Sequence, residues 1–262
     1  LGTVIASGTV GVIGLALLFS HKLPIHFSRG MSWRPDWTII RSLFRFGLPA
    51  GFQGIAMNVG GVLMLRFIGS LEHSAEAQAA YAVGYTELFS LITWTSVGLM
   101  GAAAVIAGQN LGAGRPDRAV RGVQLASRIG LGIAIVIGTL FLLLPRQLLG
   151  VFGMNDAVVL ELGKQLLRYL SVSGLFITVA LTYTGGLQGT GDTKSPLYIS
   201  LVSQVVLPLG ICAALQATRG LEAADIWLAI VAGHFTRCML SLMRFRQEKW
   251  RSIAVDIEPA RS

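Results

Sequence analysis

Charge is scarce in this 262-residue sequence. Lys, Arg, Asp and Glu number 21 basic and 13 acidic residues, 13% of the chain, about half the ~25% usual in soluble domains. So few ionic groups cannot cover a surface when 53% of residues are hydrophobic, and a mean hydropathy of +0.66 agrees. A water-soluble globule is excluded. Cysteine is scarcer still: Cys212 and Cys238 both sit in apolar runs, which excludes a disulfide scaffold. The 32 glycines follow no strict period, so a collagen-like array is excluded, and the apolar content excludes disorder. No basic leader with a cleavage site precedes the first apolar stretch, and Leu1 is expected to follow further chain upstream. What remains is a membrane protein.

Seven stretches reach the ~20 mostly apolar residues that a spanning helix needs: 1–20, 46–70, 77–108, 128–149, 166–187, 196–215 and 226–245. The expected fold is therefore an all-α, polytopic bundle of about seven transmembrane helices. The third stretch is too long for an upright span and should tilt or project. The fourth has weak ends, with Arg128 and Arg146 flanking its apolar heart. Placing 21–45 in the cytoplasm puts 109–128, 188–196 and the chain from Arg244 onward on the same side. Those segments hold 15 basic residues, against five at the opposite ends (Arg66, Arg146, Lys164, Arg168, Arg219), with Arg237 inside a span. This positive-inside bias predicts a cytoplasmic C-terminus. It also accounts for the net charge of +8, which is spread along one membrane side rather than gathered on a nucleic-acid-binding face.

Connector 21–45 is longer and basic and carries Trp33 and Trp37. It reads as an interfacial segment with an amphipathic entry into the second span. One span before it and six after it suggest a hinge between two bundles.

Inside lipid, helices associate through small residues that let backbones approach. Gly130, Ala134 and Gly138 form such a seam on the fourth span. Ser171, Gly174, Thr178, Thr182 and Gly185 form one on the fifth. On the second span, Gln53, Met57, Gly60, Gly61 and Met64 share a face, which suits either plain core or an adaptable pocket wall. Asn58, off that stripe, is expected to bond a neighbouring helix. On the sixth span, Pro208 cannot donate to the Gln204 carbonyl. That freed carbonyl predicts a kink, either structural or a bending point beside a polar cavity to which Ser200 and Gln204 also point.

Glu87 lies well inside the third stretch, where a charge costs roughly 2.5–3.5 kcal/mol on insertion scales. At helical spacing it shares a stripe with Thr86, Ser90, Thr93 and Trp94. That pattern suits a wet cavity in which a carboxylate exchanges a proton or holds a cation; the plainer role is a structural carboxylate bonded to Arg66. His234 and Arg237 share a face of the last span, with Arg237 able to snorkel only partway to the cytoplasm. Metal and enzyme signals are absent. The glycine-rich run 185–195 has Asp192 where a phosphate loop requires Lys, and no nucleophile–base pair can be proposed.

Two connectors, AGQNLGAGRPDRA (107–119) and GGLQGTGDTKSP (185–196), each close a span on the predicted cytoplasmic side. With FGLPAG (46–51) and DIWLA (225–229), they resemble the multidrug and toxic compound extrusion (MATE) family over about residues 46–250. The resemblance implies a two-lobe antiporter that expels cationic or amphipathic compounds by alternating access, driven by inward Na⁺ or H⁺ and needing no cofactor. It implies that 1–20 is the last helix of an N-terminal lobe and 21–45 a cytoplasmic interlobe linker. Residues 46–245 would be the six-helix C-terminal lobe and 246–262 a cytoplasmic tail. The partners would be the substrates, the lipid bilayer and an absent N-terminal lobe, in a bacterial inner membrane. Substrate or cation candidates are Glu87, Thr86, Ser90, Trp94, Gln53, Met57 and Gln204, with Pro208 as the hinge. Some members carry carboxylates in this lobe at positions that align here with Met57 and Ile177. Either Glu87 takes that role or coupling resides in the other lobe. The rival readings are a flippase for lipid-linked oligosaccharides from the same superfamily and a non-transporting membrane assembly protein.

Overall fold

A computed structural model describes residues 2–20 and 35–253. Every regular element in them is helical. The chain divides into two compact units, 1–41 and 42–262. The first contains α1 (Gly2–Phe19), an apolar helix, and the opening of α2. Residues 21–34 of the basic connector, with Trp33, lie outside the described residues, as does 254–262 of the tail.

The second unit is built from long apolar helices. These are α2 (Trp37–Ile68), α3 (Ser74–Gly112), α4 (Pro116–Leu143), the short α5 (Pro145–Gly150), α6 (Ala157–Gly189), α7 (Lys194–Thr218) and α8 (Ala223–Arg246). Six of them are long and apolar enough to cross a membrane. Helix α2 begins nine residues earlier than its apolar run. Asp36 caps it, with Oδ1 accepting from the backbone N–H groups of Thr38 and Ile39. Helix α4 departs from expectation at both ends. Pro116, preorganised for a first turn, starts it well before Arg128, and it stops at Leu144, where Pro145 opens α5.

Helix α6 is the axis of the unit. In its most apolar window 83% of residues are buried, against 22–50% in the other spans. It packs on α3, α4 and α8, while α2 touches its neighbours at few points. The two predicted seams meet: a Cβ on Gly130 would lie 2.5 Å from Thr178 Cγ2, and one on Gly138 3.1 Å from the Ser171 carbonyl oxygen. Gly185 and Gly189 bring α6 against α3 so closely that a Cβ would come within 2.1 and 2.0 Å of the Met100 and Ala104 carbonyl oxygens. Backbone contact on that scale needs glycine. Ser96 and Thr178 hydrogen-bond across the same interface at 2.8 Å.

Two interruptions shape the rest. Helix α3 contains a π-helical segment, Ala82–Leu88, beside Gly84, whose Cβ would sit 2.8 Å from Leu166 Cδ2. Helix α7 contains another, Leu201–Val206, immediately before Pro208. At the bundle end formed by 108–121 and 188–196, a second core of Ala107, Val123, Leu187, Phe245 and Trp250 closes the structure. Trp250 donates its indole N–H to the Phe245 carbonyl at 2.9 Å. Gly114 and Gly191 there adopt φ of 68° and 91°, a left-handed geometry that favours glycine.

Candidate functional site

Helices α2, α3, α7 and α8 enclose a cavity of about 140 Å³. Met57, Gly60, Gly61 and Met64 form the α2 wall, and Tyr81 and Tyr85 the α3 wall; Gln204 and Pro208 come from α7, Ile230 and His234 from α8. Both π-helical segments open onto it, one through Tyr85 and the other through Gln204. Such segments add a residue to the turn and re-aim side chains, which is why they recur at functional sites. The α7 segment also absorbs the hydrogen bond that Pro208 cannot make.

Glycines on both sides wedge this break in place. A Cβ on Gly60 would lie 3.1 Å from Val205 Cγ2. One on Gly233 would lie 2.6 Å from the Ser203 carbonyl oxygen and 3.0 Å from Pro208 Cγ. Pro208 therefore sits at a narrowed backbone crossing beside the cavity.

Polar contacts seal the cavity toward the 188–196 end. Gln53 Nε2 donates to Ser200 Oγ at 2.7 Å, and Gln188 Nε2 donates to Gln53 Oε1 at 3.2 Å. This joins α2, α7 and the end of α6. An aromatic ladder runs along another wall, with Trp227 on Tyr81, Tyr81 on Tyr85, Tyr85 on Phe89 and Phe89 on His234, ring centroids 4.9–6.1 Å apart. His234 Nδ1 pairs with Ser173 Oγ on α6.

The structure thus brings Met57, Gln204 and Pro208 to one cavity and places Gln53 one turn of α2 before Met57, outside the lining. It does not bring Glu87, Thr86, Ser90 or Trp94 there. Thr86 and Glu87 are exposed on this unit, Trp94 is 73% exposed, and Ser90 spends its hydroxyl on the Glu87 carbonyl. Thr86, Glu87 and Trp94 instead share an outward face of α3, away from Tyr81 and Tyr85. No ion pair joins Glu87 to Arg66 among the described residues. Arg66 lines a separate groove with Ser70 and Gln216. Asn58 donates to the Gly54 carbonyl of its own helix at 2.9 Å rather than to a neighbour. Ile177 is buried core.

Arg237 stays inside the bundle, as a side chain able to snorkel only partway would. It is 4% exposed, and its Nε has no hydrogen-bond partner. The residues that sequence reasoning missed are the tyrosines. The i, i+4, i+8 spacing of Tyr81, Tyr85 and Phe89 was the available signal.

With this geometry in place, relatives can be compared. The MatE family model matches residues 49–213. The chain belongs to the MatE family. A probable multidrug resistance protein NorM from Brucella suis is 30% identical over 253 residues, covering 92% of this chain and 52% of that protein. Another from Deinococcus radiodurans is 32% identical over 216 residues, covering 78% and 45%. Among solved structures, an outward-facing multidrug resistance MATE family transporter of the MOP superfamily matches with a TM-score of 0.84 at 17% identity. That match covers 94% of this chain and 54% of the other. A eukaryotic MATE transporter matches with a TM-score of 0.77 at 21% identity, covering 92% and 53%. The MatE chain therefore spans about half the length of the curated relatives it matches. It is a multi-pass membrane protein with bacterial homologues.

Proposed function

We propose that this MatE chain forms one lobe of a secondary active exporter of cationic or amphipathic compounds, coupled to inward Na⁺ or H⁺. The observation that carries the reading is the cavity between α2 and the core helices, bordered by two π-helical segments and the Pro208 break. Alternating access needs one packed element that can bend around a fixed site. Helix α2 meets the core sparsely, so it is suited to move. The basic connectors support an orientation with 108–121, 188–196 and the C-terminus on the cytoplasmic side, in this proposal of a bacterial inner membrane.

Glu87 belongs to the translocation path in this proposal, on a surface away from the internal cavity. A carboxylate exposed on a membrane-spanning helix is costly against lipid and favourable against water or a facing protein surface. The faces of 46–245 that carry Glu87 and Trp94 would then look toward the other lobe.

The test uses the full-length protein in everted membrane vesicles, with a cationic dye added outside, on their cytoplasmic face. Dye movement should follow an imposed Na⁺ or proton gradient and stop when that gradient is collapsed. Gradient-independent movement, or movement of lipid-linked sugars with no movement of dye, would favour the flippase reading instead.

A further inference from the structure

Arg237 is a buried guanidinium with no carboxylate beside it. None of the ion pairs among the described residues includes it, and no hydrogen bond reaches it. Taking a charge out of water without a partner is expensive, so an enclosed arginine of this kind calls for an anion. Ile230, His234 and Arg237 follow one another along one face of α8. The first two line the cavity, and Arg237 is buried on the next turn of the same face.

The other polar groups at the cavity add donors. The Tyr81 and Tyr85 phenols have no protein hydrogen-bond partner among the described residues, and Gln204 Nε2 is buried without an acceptor. When Ser173 Oγ–H donates to His234 Nδ1, the ring proton sits on Nε2, again as a donor. Among the described residues, no Asp or Glu lines the cavity. Four donor-bearing side chains line a space of about 140 Å³, which is ample for a small ion and too small for a drug-sized molecule, and Arg237 lies on α8 one turn beyond His234, outside the lining.

We infer that this cavity is a binding site for a small monovalent anion, either a halide or the carboxylate of a small solute, held by Tyr85 and Gln204 and balanced by Arg237. The anion would neutralise the guanidinium and brace α3, α7 and α8 around the Pro208 break. The site stands on side-chain placement alone and holds whether or not the chain exports cations.

The experiment is thermal unfolding of the purified full-length protein, titrated with sodium chloride or sodium acetate against sodium gluconate at constant ionic strength. The expected result is a saturable rise in Tm with chloride, acetate or both, gluconate being too large to enter. Chloride alone identifies a halide site, and a response to acetate identifies carboxylate recognition. Tyr85→Phe keeps the ring and its stacking but removes the hydroxyl. It should weaken the apparent affinity about tenfold, the scale of one donor to a charged acceptor, and Arg237→Gln should abolish the response. If Arg237→Gln does not fold, Tyr85→Phe and Gln204→Leu decide. No saturable response to either salt, or midpoints unchanged in those two variants, overturns the site.

Discussion

Asp192 and Arg244 form an ion pair that fastens the 188–196 turn to the last turn of α8. Arg244 Nε and Nη2 donate to Asp192 Oδ2 at 2.8 and 2.7 Å, and Ser195 donates to the same carboxylate through both its backbone N–H and its hydroxyl. The carboxylate side chain is 5% exposed. The partner of Asp192 lies 52 residues away and could not be identified without the fold.

Removing one member of a buried pair leaves the other uncompensated and costs about 3–5 kcal/mol. Asp192→Ala should accordingly lower the thermal stability of the full-length protein strongly. Asp117→Ala, which breaks an exposed pair to Arg251 at 3.1 Å, should cost no more than about 1 kcal/mol. Equal losses in the two variants would show that the 188–196 turn is not anchored this way.

Glycines 185 and 189 should tolerate no side chain. Gly189→Ala forces a Cβ into the Ala104 carbonyl, and overpacking of that kind costs about 1–3 kcal/mol or more. Gly101→Ala, with nothing within 4 Å of its Cβ, is the matched control and should be neutral or slightly stabilising. Melting temperatures of both variants in detergent check the contrast.

Pro208→Ala restores an N–H for the Gln204 carbonyl and favours a regular helix. We expect unchanged or higher thermal stability together with at least a severalfold loss of dye efflux by the full-length protein. Undiminished efflux would reduce the Pro208 break to a structural kink.

For Glu87, the expected outcome of Glu87→Gln is loss of gradient-driven efflux at normal expression, with Glu87→Asp retaining part of it. Normal dye efflux by the glutamine variant would place coupling elsewhere.

Orientation is tested by single-cysteine labelling. Cys212 and Cys238 are buried and can be replaced first. A cysteine at Gly114 should react with a membrane-impermeant reagent only in everted vesicles; reaction in intact cells would invert the topology.

Much of this was legible in the sequence because lipid imposes simple rules. Long apolar runs gave the spans, and small residues at four-residue spacing gave the seams that now meet at Gly130 and Thr178. Pro208 and Gln204 were placed together because a missing N–H and its orphaned carbonyl lie four residues apart. The stripe through Glu87 keeps one outward face on this unit and does not line the internal cavity. The close approach of Gly84 to Leu166, a contact between distant parts of the chain, could not be read from the sequence. Arg237 was legible only in part: its distance to the helix end can be counted from the sequence, but its burial cannot.

The ladder from Trp227 to His234 makes the protein its own optical gauge. Trp227 is fully buried against Tyr81, whereas Trp37 and Trp94 face outward. Excitation absorbed by the stacked tyrosines should pass to the indole of Trp227, whose emission would then register any sliding of α8 past α3. Replacing the other four tryptophans of this sequence, Trp33, Trp37, Trp94 and Trp250, with phenylalanine would isolate that signal and allow the working cycle to be followed in real time without an added label.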